Sequence, residues 1–486
     1  MINHKIEENR FSTAEEFFEG LQKQTPYDSP NSSGVPLYNR DNVIYTDTSD
    51  SHTLIFGNTG TKKTRNFCIP TVFTIGQAGE SMIITDPKGE IYRNTSGFLD
   101  EQGYQIYVLN LRDIQCSARW NPLSLPYQYY KNGNKDKAVE MITDFATQLK
   151  APVHSDKDVY WENQAVDMFV GLVLMVFECE KDESKVNMSS IQSIRMCIEP
   201  EGSGHYDDAF WDFLSTFPEN SLIRYRLGAI SSLRKTEKTL TSIISVFDGM
   251  MSVFLFNEKI MSLLSKTEIK MESLGEKKTA IYLITPDEKT TFHFLVSVFV
   301  KQSYEYLIQQ AHHNSNGMLK LRINFILDEF SNFPKIADMP AMISAARSRN
   351  IRFLLVVQSK QQLVSMYQDD CETIKSNCKN WIFLACREVL LLEEMEKLCG
   401  YVYTSDRGSI PLMNITKLQS LKIGWVDSEA LILRNGLRPF ITNVRDFSFY
   451  PQSSYPSVPF TNRDFQKPES FSLIGYMYAY YSSQLK

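Results

Sequence analysis

The sequence predicts an α/β protein: a mostly parallel sheet flanked by helices, opened once to admit an all-α domain. Three observations lead there. Short apolar runs such as "HTLIFG", "SMIITD" and "QIYVLNL" recur, each followed by polar or helix-compatible sequence, and each has the length of a strand buried on both faces. The pattern stops after "RWNPLSLP" (Arg119 to Pro126), and from about 135 to 274 the apolar residues recur at spacings of three and four, as in "WENQAVDMFVGLVLMVFE", the signature of amphipathic and buried helices. Strand-like runs then resume with "TAIYLITP", "INFILDE", "RFLLVVQS", "NWIFLAC" and "EALILRNG". Strands alternating with helices argue for parallel pairing, so the two strand-rich stretches are expected to share one sheet.

The expected order is a polar N-terminal segment (1–45), the first part of the α/β domain (46–126), the inserted all-α domain (127–274), the second part of the α/β domain (275–445) and a C-terminal tail (446–486). Within the first segment "TPYDSPNSSGVP" reads as a linker rich in turn formers. The tail is aromatic and proline-rich without periodicity, and no internal repeat is evident. A length of 486 residues suits two or three domains.

Bulk composition excludes several classes. The formal net charge of -6 gives no global basic signature, so binding to nucleic acid would need a local patch or a pore. Eight cysteines include no C-x-x-C pair, and seven histidines show no matching ligand spacing. Reduced thiols are expected, rather than a zinc site or a disulfide framework. The N-terminus "MINHKIEENRFSTAEEFFEG" is charged throughout, unlike a signal peptide. The most membrane-like run, Ala165 to Phe177, contains Asp167 and is short of the ~20 residues that span a bilayer. A soluble chain is expected.

The chemistry concentrates in "GNTGTKKT", Gly57 to Thr64. Against G-x-x-x-x-G-K-[ST] the first glycine, Lys63 and Thr64 match, but Lys62 stands where the second glycine belongs. A strand before the stretch and a helix-compatible run after it supply the context of a phosphate-binding loop. Such a loop curls backbone N–H groups around phosphates, reaches the β/γ oxygens with its lysine and sets its hydroxyl on Mg²⁺. Gly57, Asn58, Thr59, Gly60, Thr61, Lys62, Lys63, Thr64 and Arg65 are therefore the candidate nucleotide contacts. A side chain at position 62 is expected either to crowd the phosphates, at a conformational cost of about 1 kcal/mol, or to add positive charge beside them.

A second signal, "INFILDEF", is an apolar strand ending in Asp328 and Glu329. In a Walker B pattern the aspartate would hold Mg²⁺ through water, and the glutamate would polarise the attacking water. Acidic residues also end strands for structural reasons, but two such motifs in one sheet reinforce each other. Arg347 and Arg349 lie on a helix end before the next strand, where they either complete a neighbouring subunit's site or simply suit the helix dipole. Gln358 follows that strand at the position of a γ-phosphate sensor. In "TDPKGEIY", Asp86 and Lys88 would lie at the carboxyl edge of the sheet, although Asp-Pro and Gly there also build a turn.

Taken in order, "GNTGTKKTR", "ITDPKGEIY", "RWNPL", "YWENQA", the block from Ile326 to Tyr367 and "LILRNGLRPF" resemble the type IV secretion coupling proteins, the TraG/TraD-like ATPases of conjugative DNA transfer. The resemblance covers roughly residues 50 to 445. It implies a RecA-like domain interrupted by an all-α domain, ATP and Mg²⁺ as cofactors, and a ring, usually a hexamer, that recruits a relaxase–DNA complex to the secretion channel. Carried over by position, Lys63 and Thr64 are the loop lysine and hydroxyl, Asp328 and Glu329 the Walker B pair, Gln358 the sensor and Arg347 the arginine finger. Two departures stand out. The transmembrane helices usual in the family are not expected here, which implies a cytoplasmic protein recruited to the inner face of the membrane through a partner. Lys62 sets a non-hydrolysing adaptor, or a repurposed soluble relative, against the ATP-driven motor.

Overall fold

A computed structural model of the chain describes residues 9–150, 159–198, 207–404 and 408–484, so the first eight residues of the polar N-terminal segment lie outside it. The chain folds as two compact units. One comprises everything up to Arg112 together with Met271–Phe460, and the other comprises Asp113–Lys270 with Thr461–Lys486.

The first unit begins with a capped turn of helix, Ala14–Phe18, and three short strands: β1 (Gln22–Gln24), β2 (Pro36–Arg40) and β3 (Val43–Thr46). These form an antiparallel sheet in the order β1-β3-β2. The stretch that reads as a linker is thus folded, and its turn formers have specific partners. Ser33 is fully buried, and its carbonyl and that of Asp47 accept from the guanidinium of buried Arg352. Gly34 is obligatory, because a Cβ there would overlap the carbonyl of Asp47.

The remaining strands are β4 (His52–Phe56), β5 (Ser81–Asp86), β6 (Gln105–Asn110), β7 (Thr279–Ile284), β8 (Ile323–Leu327), β9 (Ile351–Val357), β10 (Cys378–Phe383), the separate hairpin β11 (Tyr401–Thr404) and β12 (Gly408–Pro411), and then β13 (Asp427–Arg434) and β14 (Phe440–Arg445). Nine of them build one sheet in the order β14-β13-β10-β4-β9-β8-β5-β7-β6. From β10 to β6 every neighbour is parallel, and β13 and β14 extend one edge as an antiparallel hairpin. Every residue of β4, β5, β7, β8 and β9 is buried. That is why the middle of each strand is written as a run of apolar residues rather than as an alternation, with buried polar residues confined to the strand ends. The order sets β9 between β4 and β8, so the segments that follow these three strands leave the same carboxyl edge side by side, where open α/β sheets bind ligands.

The opposite edge is tied by charge. Arg352 pairs with Glu80 at 2.6 Å, both side chains being less than a tenth exposed, and Asn324 bonds both partners. On the carboxyl side of the unit the chain from Pro451 to Phe460 runs along the helix Glu90–Glu101. Tyr92 donates to the carbonyl of Val458, the Val458 N–H donates to Ser96, and Phe460 stacks on Tyr92 with ring centres 4.7 Å apart.

The second unit is helical and is organised on Val159–Cys179, which is buried almost all round. The "RWNPL" stretch forms its entry corner: Trp120 is buried, and Asn121 donates to the carbonyl of Val186 while accepting from the Leu123 N–H. Arg195 and Asp248 form a two-pronged ion pair between helices. From Thr461 the C-terminal segment belongs to this unit, with the helix Leu473–Gln484 placing Tyr480 edge-on to Phe213. Among the described residues one helix, Glu237–Leu255, is long and apolar enough to cross a membrane, and 39% of its apolar window is buried. All eight cysteines are free thiols, seven of them buried.

Candidate nucleotide site

The loop Gly57–Lys63 joins β4 to a helix and passes through positive φ at Gly60 and Lys62. Gly57 leaves the strand with its N–H on the carbonyl of Val357 at 3.3 Å, and a Cβ there would press on Thr61 and Leu384. Gly60 sits at φ +85°, a conformation that glycine adopts without penalty. Lys63 is buried and turns its Nζ back into the loop, donating to the carbonyls of Gly57 at 2.6 Å and Asn58 at 3.1 Å. Burial lowers its pKa, against the opposing pull of the Glu329 and Asp328 carboxylates. The following helix starts with a π-helical turn, Thr64–Cys68, a wide turn of the kind that often marks functional sites.

Lys62 takes φ +63°, the left-handed conformation that the missing glycine would have held. For a side chain this costs about 1 kcal/mol. Its ammonium is engaged with a distant segment. It leaves the loop, donates to the carbonyl of Gly424 at 2.7 Å and lies 5.0 Å from the centre of the Trp425 ring. Arg65 is similarly engaged outside the loop: its guanidinium forks onto Asp446 with two 2.7 Å hydrogen bonds and stacks 4.4 Å from Phe447. Gly424–Trp425 precede β13 and Asp446 follows β14, and the Asp446 N–H bonds the carbonyl of Val426 at 3.2 Å. The two cations flanking Lys63 and Thr64 therefore clamp the two ends of the β13–β14 hairpin against the loop.

The acidic half of the site comes from β8. Asp328 is buried and accepts from the Thr64 hydroxyl at 2.6 Å and from the Glu329 N–H at 3.0 Å, while its carbonyl accepts from Thr85 at 2.8 Å. Burial, then the neighbouring Glu329 charge, pushes its carboxyl up to about 7, and the Thr64 hydrogen bond opposes this. Glu329 is a second left-handed residue, at φ +53°. Its carboxylate accepts from Gln358 Nε2 at 2.6 Å, and Gln358 Oε1 accepts from the Thr59 hydroxyl at 3.1 Å. A continuous relay thus runs from the loop through Gln358 to Glu329. Asp86 is buried at the end of β5, accepts from the Tyr92 N–H at 2.8 Å and is raised to about 6, chiefly by burial. With its carbonyl bonded by the Gly89 N–H it closes a turn, and Lys88 is exposed.

Arg347 is not brought to this cluster. It precedes β9 whereas Gln358 follows it, so the length of a seven-residue strand separates them, about 20 Å. It lies at the amino edge, 3.4 Å from Asp50, half-exposed. Arg349 closes the preceding helix end on the carbonyl of Ala345. Sequence reasoning misses Trp425 and Asp446, which belong to no local motif, and Thr85, which lies in "TDPKGEIY" without being singled out; only a basic residue on each side of Lys63 and Thr64 hints that distant partners exist.

With this geometry in view, a family model for type IV secretory system conjugative DNA transfer matches residues 1–416. The conjugal transfer protein TraG of Escherichia coli is 22% identical over 368 residues, 72% of this chain and 55% of that protein. Protein VirD4 of Rhizobium radiobacter is 22% identical over 343 residues, 69% of this chain and 46% of the relative. The chain thus spans about half the length of the curated relatives it matches. Among solved structures, the plasmid coupling protein TrwB bound to the ATP analogue ADPNP superposes with a TM-score of 0.62 at 16% identity, covering 95% of this chain and 97% of that one. TrwB with ADP and Mg²⁺ gives 0.57 at 16% identity, over 87% and 88%. The fold is the TrwB-like, RecA-like α/β fold, and the chain belongs to the type IV secretory system conjugative DNA transfer family.

Proposed function

We propose that this chain is a Mg²⁺-dependent ATPase that drives a DNA or nucleoprotein substrate toward a conjugative secretion channel. The observation that carries this reading is the 2.6 Å contact between Thr64 and Asp328, which joins the loop hydroxyl to the strand-end carboxylate beside a buried loop lysine. An oxygen-only pair of this kind suits Mg²⁺, which holds few protein ligands and keeps its waters. TrwB, of the same fold, has been crystallised with ADPNP and with ADP and Mg²⁺.

In this reading the N–H groups of Gly60 to Thr64 and the Lys63 ammonium receive the β- and γ-phosphates. Lys63 moves from the Gly57 and Asn58 carbonyls it now satisfies to phosphate oxygens. Thr64 and Asp328 would hold Mg²⁺, which would supply positive charge beside the phosphates. Glu329 orients the attacking water once its carboxylate is free of Gln358, whose amide then faces the γ-phosphate. Arg347 is too far from its own loop to act in cis, so its role requires a neighbour's nucleotide and a ring of subunits, a hexamer by family resemblance. DNA would be held through its phosphates, with a relaxase and channel components as further partners.

The test is steady-state ATP hydrolysis with and without DNA at several protein concentrations. Lys63→Ala is expected to abolish nucleotide binding, and Glu329→Gln to preserve binding while reducing turnover at least a hundredfold (about 3 kcal/mol of barrier). Equal turnover by wild type and Glu329→Gln would overturn the motor reading.

A further inference from the structure

Trp425 stands out as an exposed aromatic with a built support. Its side chain is 89% exposed, yet the residue is fixed from two directions: Lys62 bonds the carbonyl of Gly424 and lies against the indole, and the Val426 carbonyl is bonded by the Asp446 N–H. The contact partner of the indole is a residue of the phosphate loop itself. Arg65, one residue past Thr64, is clamped to Asp446, where the second strand of the same hairpin ends beside Val426. The open end of the hairpin therefore lies against residues 62 to 65, beside the start of the helix that follows the loop.

We propose that Trp425 is the base-stacking residue of this nucleotide site, with Lys62 as its positioning residue. The proposal rests on the nucleotide-site reading given above. The ammonium occupies one face of the indole by cation–π attraction, leaving the opposite face for a nucleobase. Stacking on an aromatic ring is tolerant of base identity, because every base presents a π-face. The site is therefore one for nucleoside triphosphates, with little discrimination among bases, adenine and guanine included. On this account Lys62 stands in place of glycine because the loop uses its side chain to hold the hairpin end where the base arrives.

The experiment compares Mg²⁺-dependent affinities for ATP, GTP and inorganic tripolyphosphate by calorimetry in the full chain and in Trp425→Ala, Trp425→Phe and Lys63→Ala. Trp425→Ala is expected to weaken ATP and GTP binding alike by on the order of tenfold, to leave tripolyphosphate binding unchanged, and to be largely rescued by phenylalanine. As the side chain is exposed, the variants are expected to fold as the wild type does. Unchanged ATP affinity in Trp425→Ala, or an equal loss for tripolyphosphate, overturns the stacking role while leaving the phosphate site intact. If the wild type fails to bind tripolyphosphate, or Lys63→Ala binds it as well as wild type does, the nucleotide-site reading itself falls and the stacking role falls with it.

Discussion

Replacing Lys62 by glycine separates a phosphate ligand from a positioning residue, and its outcome can be worked from the geometry. The left-handed backbone costs the lysine about 1 kcal/mol, which glycine removes. Glycine then returns about 0.5–1 kcal/mol of that gain through the greater entropy of the unfolded chain. Lost as well are the charged hydrogen bond to Gly424, worth about 1 kcal/mol at a half-buried site, and the contact with Trp425, about 0.5 kcal/mol. The balance is a destabilisation of about 1 kcal/mol in the first unit, observable as a small shift in the urea midpoint. As the ammonium points out of the loop, kcat is expected to stay within about twofold of wild type, with KM rising a fewfold as the hairpin end loosens. The bare motif gives the opposite sign, since removing an intruding side chain would tighten ATP binding. Lys62→Asn, which tolerates the left-handed conformation but cannot reach Gly424, should behave as glycine does. A fall in kcat of a hundredfold or more in either folded variant would mean that Lys62 acts on the phosphates, and the positioning argument would be refuted.

Three further outcomes follow from the same contacts. Asp328, raised to about 7 from an ordinary 3.8, carries a proton in the folded, nucleotide-free protein that the unfolded chain lacks. Its stabilising protonation is lost as pH rises through 7, so unfolding free energy should drop by about 1 kcal/mol between about pH 6.5 and 8. Asp328→Asn should flatten that slope in pH-dependent urea titrations; a slope unchanged by the substitution would assign it elsewhere. His52, buried and held near 4 chiefly by desolvation, acts below that window and with the opposite sign, its contribution being lost as pH falls from 6.5 toward 4. Glu80→Ala should destabilise the first unit by about 3–5 kcal/mol, since it strands the Arg352 charge in the core, and a urea midpoint near that of wild type would show that Arg352 is otherwise solvated. Mixing Arg347→Ala with Glu329→Gln subunits should restore part of the ATPase activity lost in each alone, and no recovery in verified oligomers would count against action between subunits.

What the sequence disclosed, and what it withheld, follows from the range of each interaction. Strands β4, β5, β7, β8 and β9 are legible because burial on both faces forces short apolar runs into the sequence itself. Thr64 and Asp328 are legible for a related reason: each terminates or follows such a strand within a short motif, although 264 positions separate them. The N-terminal turn formers mislead because Ser33 and Gly34 serve a buried ion pair formed by Glu80 and Arg352, and nothing near residue 33 records it. Lys62 is the sharpest case. A local motif identifies it only as an error, because its partner lies 362 positions away in a segment without any motif. The left-handed strain is local and counts against a lysine, whereas the compensating contacts with Gly424 and Trp425 are nonlocal and count for it. A residue kept at a conformational penalty, beside a lysine and a hydroxyl that suit their expected positions, is better explained by what its far end holds than by decay of the loop. Decay would leave Lys63 and Thr64 free to drift, yet Lys63 remains buried against the loop carbonyls and Thr64 remains bonded to Asp328.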